Sequence, residues 1–138
     1  VFMKKLICTF AFSLCVLAGS SVWAQIPQTQ YSQSISYITG GVGEEESSAI
    51  LAEAKQWPLL LELSQLENGR GIWIFGSQIK ILNAKNSIIF DAKADGPYML
   101  INLGAGDYAI QASYQGVEQK RVISIKAGQP QKISIFWK

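Results

Sequence analysis

The chain has 138 residues, 49% of them hydrophobic, with 12 basic and 10 acidic side chains and no histidine. Lacking histidine, it has neither the usual ligand of a catalytic zinc ion nor the usual base for a serine or cysteine nucleophile. A formal charge of +2 gives no electrostatic case for binding nucleic acid.

The N-terminus reads as an export signal. Met3 and the basic pair Lys4-Lys5 precede an apolar run from Leu6 to Ala18, and small residues lead to Val22-Trp23-Ala24. These are the three regions of a secretory signal peptide, with cleavage expected after Ala24. The run is shorter than the roughly 20 residues a membrane-spanning helix needs. Ser20 follows Leu17-Ala18-Gly19 where a lipoprotein would carry its cysteine, so no lipid anchor is expected. Removing 24 of the 138 residues leaves 114, beginning at Gln25. Cys8 and Cys15 leave with the signal, and the mature domain must fold without a disulfide. Loss of Lys4 and Lys5 also leaves ten basic residues against ten acidic ones. One periplasmic or secreted domain is expected, with no membrane span after cleavage.

Residues 25–42 are rich in Gln, Ser and Gly and read as a flexible N-terminal segment, within which Ile35 to Thr39 suits a short strand or extended arm. Gly40-Gly41-Val42-Gly43 breaks the chain before a helix predicted over 43–56. Glu44, Glu45 and Glu46 suit the positive end of its dipole, and Pro58 stops it. From residue 57 the pattern changes to seven short β-type runs separated by turn residues. They are Leu59–Glu67, Ile72–Leu82 with Gly76 as a bend, Ser87–Lys93, Tyr98–Leu103, Tyr108–Tyr114, Gln119–Ile125 and Lys132–Trp137. Such spacing predicts an antiparallel β-sandwich.

Alternation sends Met99, Ile101, Leu103, Ile110, Ala112, Ile123, Ile125, Ile133, Ile135 and Trp137 to one core face. Two runs do not alternate: Leu59 to Leu61 and Ile72 to Phe75 are apolar on both faces, so a second layer must cover them. The helix stripe Ile50, Ala54 and Trp57 is the expected cover, lying over Leu60, Trp73 and Phe75.

The segment Leu103-Gly104-Ala105-Gly106-Asp107-Tyr108 resembles the corner of carboxypeptidase regulatory-like domains, the prealbumin or transthyretin-like sandwiches. Asp95-Gly96-Pro97-Tyr98 and Tyr114-Gln115-Gly116 look like turns of the same family, and the resemblance covers about residues 57–138. It implies a seven-stranded Greek-key sandwich, with Leu103, Gly106 and Tyr108 forming a structural corner in which the tyrosine hydroxyl bonds back to the backbone. The stretch from Tyr37 to Glu45 is similar to the glycine-rich, acidic opening of uncharacterised exported bacterial proteins that carry this sandwich. The implication is a stand-alone envelope domain without an attached catalytic domain.

The zinc peptidases and the hydroxyisourate hydrolases related to this fold both depend on histidine, and thiol chemistry has no cysteine after cleavage. A serine nucleophile would need a lysine base, and no Ser-x-x-Lys spacing stands out after residue 24. Gly40-Gly41-Val42-Gly43 could present amides to a phosphate, but it carries no lysine and three glutamates follow it. The run from Asp91 to Gly96 lacks the bidentate glutamate of a calcium loop, since Asn102 stands at that position. The chain is therefore expected to be no enzyme, with no cofactor and no metal. What remains is aromatic content. Trp73, Phe75 and Phe136 are the candidate binding residues if the helix leaves them uncovered, with an envelope protein or a glycan as partner. If it covers them, a purely structural envelope domain is expected. Intact-mass measurement of the protein exported from a bacterial host should give a chain beginning at Gln25; a species retaining residues 1–24 would overturn the leader reading.

Overall fold

The computed structural model describes residues 26–138, so the expected signal peptide and its expected cleavage after Ala24 lie outside the described residues. Among the described residues the fold is mainly β, with ten strands in two sheets and one α-helix. The N-terminal segment supplies β1 (Gln30–Ser32) and β2 (Ile35–Gly40), followed by α1 (Glu44–Glu53) and a 3₁₀ turn over Ala54–Gln56. Then come β3 (Leu59–Glu67), β4 (Arg70–Trp73), β5 (Gln78–Leu82), β6 (Ile88–Lys93) and β7 (Tyr98–Ile101). The chain closes with β8 (Gly106–Tyr114), β9 (Val117–Ile125) and β10 (Gln131–Trp137). The first sheet runs β1-β2-β7-β3-β10, with β4 also paired to β3, and the second runs β6-β5-β8-β9.

Three expectations are corrected. Residues 25–42 are not a wholly flexible segment: β1 and β2 form a hairpin whose second strand pairs with β7, and Tyr37, Ile38 and Thr39 are buried. The run Ile72–Leu82 is two strands in different sheets, because Gly76, at φ 92°, turns the chain across the sandwich. The division of that run and the two N-terminal strands account for ten strands where seven were predicted. The sheets are also not purely antiparallel, since β10 lies parallel to β3 from Gln131↔Leu59 to Trp137↔Gln65. Parallel neighbours need a long crossover. Here everything between β3 and β10 supplies it.

The inward faces form one core in which Leu59, Leu61, Leu63, Ile79, Ile81, Phe90, Met99, Ile101, Ile110 and Ile135 are fully buried. A second, smaller cluster lies on the outer face of the first sheet. There Ile50, with Ala54 and Trp57 beside it, packs on Ile38, Leu60, Tyr98 and Leu100. Strand β7 is consequently buried at all four positions.

The helix is anchored by the loop before it. Glu46 reaches back so that Oε1 accepts from Gly41 N at 2.7 Å and Val42 N at 3.3 Å, while the Ser47 hydroxyl donates to the Gly41 carbonyl at 2.6 Å. This is a glutamate of the first helical turn satisfying backbone donors upstream of the helix, a variant of the capping box. The same loop lies against the Asp95–Tyr98 turn so closely that a Cβ on Gly96 would collide with the Gly40 carbonyl. Both open sides of the sandwich are latched by side chains. The Ser32 hydroxyl bonds to both N and O of Asp91, joining β1 to β6. Opposite, Trp137 Nε1 donates to the Val117 carbonyl at 2.9 Å, and the Gln131 amide donates to the Ser124 carbonyl. The crossing from β7 to β8 is held by the Tyr108 hydroxyl, which donates to the Gly104 carbonyl at 2.9 Å, with Leu103 buried beside it.

Gly96→Ala should lower unfolding stability by more than about 2 kcal/mol, because backbone sits where the methyl must go. Gly104→Ala, with open space around it, should stay within about 0.5 kcal/mol of wild type. Urea unfolding of both variants checks this; equal stabilities would sink it.

Candidate functional site

Register fixes what stands on the outer face of the first sheet. Cross-strand partners share a face, so Ile38, Leu100, Leu60 and Lys132 form one row, and Tyr98, Glu62 and Ser134 the next. Beyond these, Trp73 and Phe136 both pair with Ser64, one from β4 and the other from β10. The helix begins just after Gly40, at the level of Tyr98, and returns toward the start of β3, so it covers Ile38, Leu60, Leu100 and Tyr98 but neither Lys132 nor the row of Ser64.

The expected cover of Trp73 and Phe75 by the helix is thus corrected. Ile50, Ala54 and Trp57 do face the sheet, but over Ile38, Leu60, Tyr98 and Leu100. Trp73 is left 52% exposed and Phe136 41%. Trp73 is nonetheless positioned, because its ring rests on that of Tyr98 with centroids 5.5 Å apart and planes tilted by 48°. Phe75 is 69% exposed but lies past the end of β4, in the connector to β5, outside the row. The structure therefore brings Trp73 and Phe136 together on either side of Ser64 and leaves Phe75 apart.

Polar groups border the two rings. The Ser134 hydroxyl donates to Glu62 Oε1 at 2.9 Å, and Lys132 Nζ lies 3.6 Å from the same oxygen. Glu62 is mostly shielded from solvent, whereas Lys132 extends outward. Burial, and then the negative charge of Glu62, raises the Tyr98 hydroxyl above its ordinary 10.0. Tyr37 is raised by burial and then by Asp95. Sequence patterning missed Glu62, Ser64, Tyr98 and Ser134. The alternation Leu60, Glu62, Ser64, Leu66 along β3 carried the signal, since it defines an outer face only half of which is apolar.

No protein-family model matches this sequence, and no curated protein matches it either. Its functional reading therefore rests on the chemistry of its own surfaces.

The other surfaces offer less. At the C-terminal end of the helix, a groove of about 200 Å³ runs between Lys55–Pro58 and Ile125–Pro130, floored by Leu103 and Ala105. The amides of the glycine run are not free for a phosphate, because Glu46 occupies two of them. The expectation that no Ser-x-x-Lys spacing stands out is corrected by Ser77-Gln78-Ile79-Lys80, which has the spacing of a serine–lysine dyad. On extended backbone, however, residues three apart point to opposite faces. Ser77 is buried, with no partner for its hydroxyl among the described residues, while Lys80 lies on the other side of β5.

A tyrosine whose folded pKa is raised contributes stability that is complete below pH 10 and is lost as pH rises from there through the folded value. The melting temperature should accordingly fall above pH 10. Tyr98→Phe, which keeps the ring beneath Trp73, should reduce that fall. An unchanged alkaline slope in the variant would remove Tyr98 as its cause.

Proposed function

We propose that this chain is an exported, non-catalytic binding or accessory module of the bacterial envelope, and that its contact surface is the uncovered part of the outer face of the first sheet. The observation that carries the reading is the row Trp73, Ser64, Phe136: two large aromatic side chains, both substantially exposed, standing in register beyond the end of the helix. Exposed apolar surface adds nothing to folding where it stands, and contiguous patches of it, rimmed by polar groups, mark contact sites. Trp73 is moreover held in place by Tyr98, so the surface needs little ordering on binding.

The N-terminal leader pattern supports export, and the absence of histidine supports a role without catalysis. The likeness of residues 57–138 to carboxypeptidase regulatory-like domains is compatible with two packed sheets and implies an accessory role. A purely structural envelope domain would hide Trp73 beneath the helix, and its exposure weighs against that reading.

Site-directed photo-crosslinking in the envelope of expressing cells tests the proposal. A benzoylphenylalanine in place of Trp73 or of Phe136 should give a discrete adduct. The same group in place of Val122, exposed on the second sheet, should give none. Adducts equal at all three positions, or none at any, would overturn the assignment of the surface.

A further inference from the structure

Resting on that reading, we infer that the ligand of the outer face is a neutral glycan chain, whose pyranose rings stack on Trp73 and Phe136 while its hydroxyls bond to the Glu62–Ser134 pair. Three features of the row select this chemistry.

The first is span. Trp73 and Phe136 lie on strands either side of β3, paired to the same residue, and adjacent strands are about 4.8 Å apart, so the two residues stand about 10 Å from each other across the sheet. That separation suits alternate rings of an extended oligosaccharide, whose neighbouring units stand only about half as far apart. The second is relief. The residue between them is Ser64, a short side chain on a strand, so nothing rises between the two rings. A shallow platform meets the flat C–H face of a pyranose, whereas a cavity would suit a compact ligand.

The third is charge. The charged side chains in the two rows beside the platform are Glu62 and Lys132, and they face each other at 3.6 Å. An acidic polymer would meet Glu62, and a cationic ligand would have to displace Lys132. A neutral, hydroxyl-rich chain meets neither obstacle. It finds in Glu62 a carboxylate with further acceptor capacity, beside the hydroxyls of Ser134 and Ser64. The aromatic faces supply apolar contact and the carboxylate supplies orientation, the usual division of labour in a small-ligand site.

Calorimetric titration of the exported protein with three neutral hexasaccharides, cellohexaose, chitohexaose and maltohexaose, tests the inference. Saturable binding of at least one is expected. Trp73→Ala and Phe136→Ala should each weaken it about tenfold or more. Trp73→Phe, which keeps a ring, should retain most of the affinity, and Trp57→Phe, at the far end of the helix, should retain all of it. Melting temperatures of the variants show that each is folded, as expected for substitutions at exposed positions. Absence of saturable binding to all three sugars at millimolar concentration overturns the glycan inference, as does binding that survives Trp73→Ala unchanged. If instead Trp73→Ala abolishes self-association, or the crosslinked adducts at 73 and 136 are protein, the glycan falls while the contact surface stands. If the face gives no adduct and binds no sugar, both fall.

Discussion

Strand β3 is the element around which both layers are organised. Leu59, Leu61 and Leu63 point into the core and Leu60 points into the cluster beneath the helix, so the strand is apolar on both faces over its first half. It is also paired on both edges: β10 lies along one, and β7 followed by β4 occupies the other. A strand in this position satisfies its backbone donors and acceptors without water. The helix is required because Leu60, Leu100 and Ile38 would otherwise face solvent together. Past Leu60 the outer face of β3 becomes Glu62 and Ser64, and the need for cover ends there. The candidate site begins where the apolar outer face stops.

Most of the strand content was visible as alternation, because one-sided burial prints a period of two on the sequence. Leu59–Glu67 was bounded correctly, and the core faces of β7 to β10 follow from Met99, Ile101, Ile110, Ile123 and Ile135. Two things were not visible. Strand β1 carries Gln and Ser where a strand usually carries apolar residues, and β2, legible over Ile35 to Thr39 as a short strand or extended arm, takes its place in the sheet from β7, 59 residues away at Thr39 and Tyr98. The position of the helix was fixed by its anchors and not by its stripe. Glu46 ties the helix start to Gly41, and Gly41 is held against Tyr98 by a contact that glycine alone permits. Amphipathicity told which side of the helix faces the sheet; only tertiary contacts told which rows of the sheet it meets. That distinction decided whether Trp73 was covered.

The sheet edges show a related economy. Ser32 bonds to both backbone groups of Asp91, and Trp137 and Gln131 bond to carbonyls of β9. Unpaired edges invite pairing with other chains. Here side chains tie edge strands of opposite sheets together at these points, so recognition through a sheet face is better provided for than recognition through strand addition.

The parallel pairing of β3 with β10 bears on the order in which the molecule can be built. Seventy-two residues separate Ser134 from its partner Glu62. Local hairpins such as β8 with β9 close quickly, whereas contacts between distant segments wait on loop closure. Until the C-terminal strand arrives, β3 has one bare edge. A polypeptide threaded through a membrane from its N-terminus would expose that edge throughout its passage, and could complete its core only after the final strand had emerged. A topology of this kind keeps the core incomplete, and its apolar strands open to wrong pairing, until the last strand is free to dock.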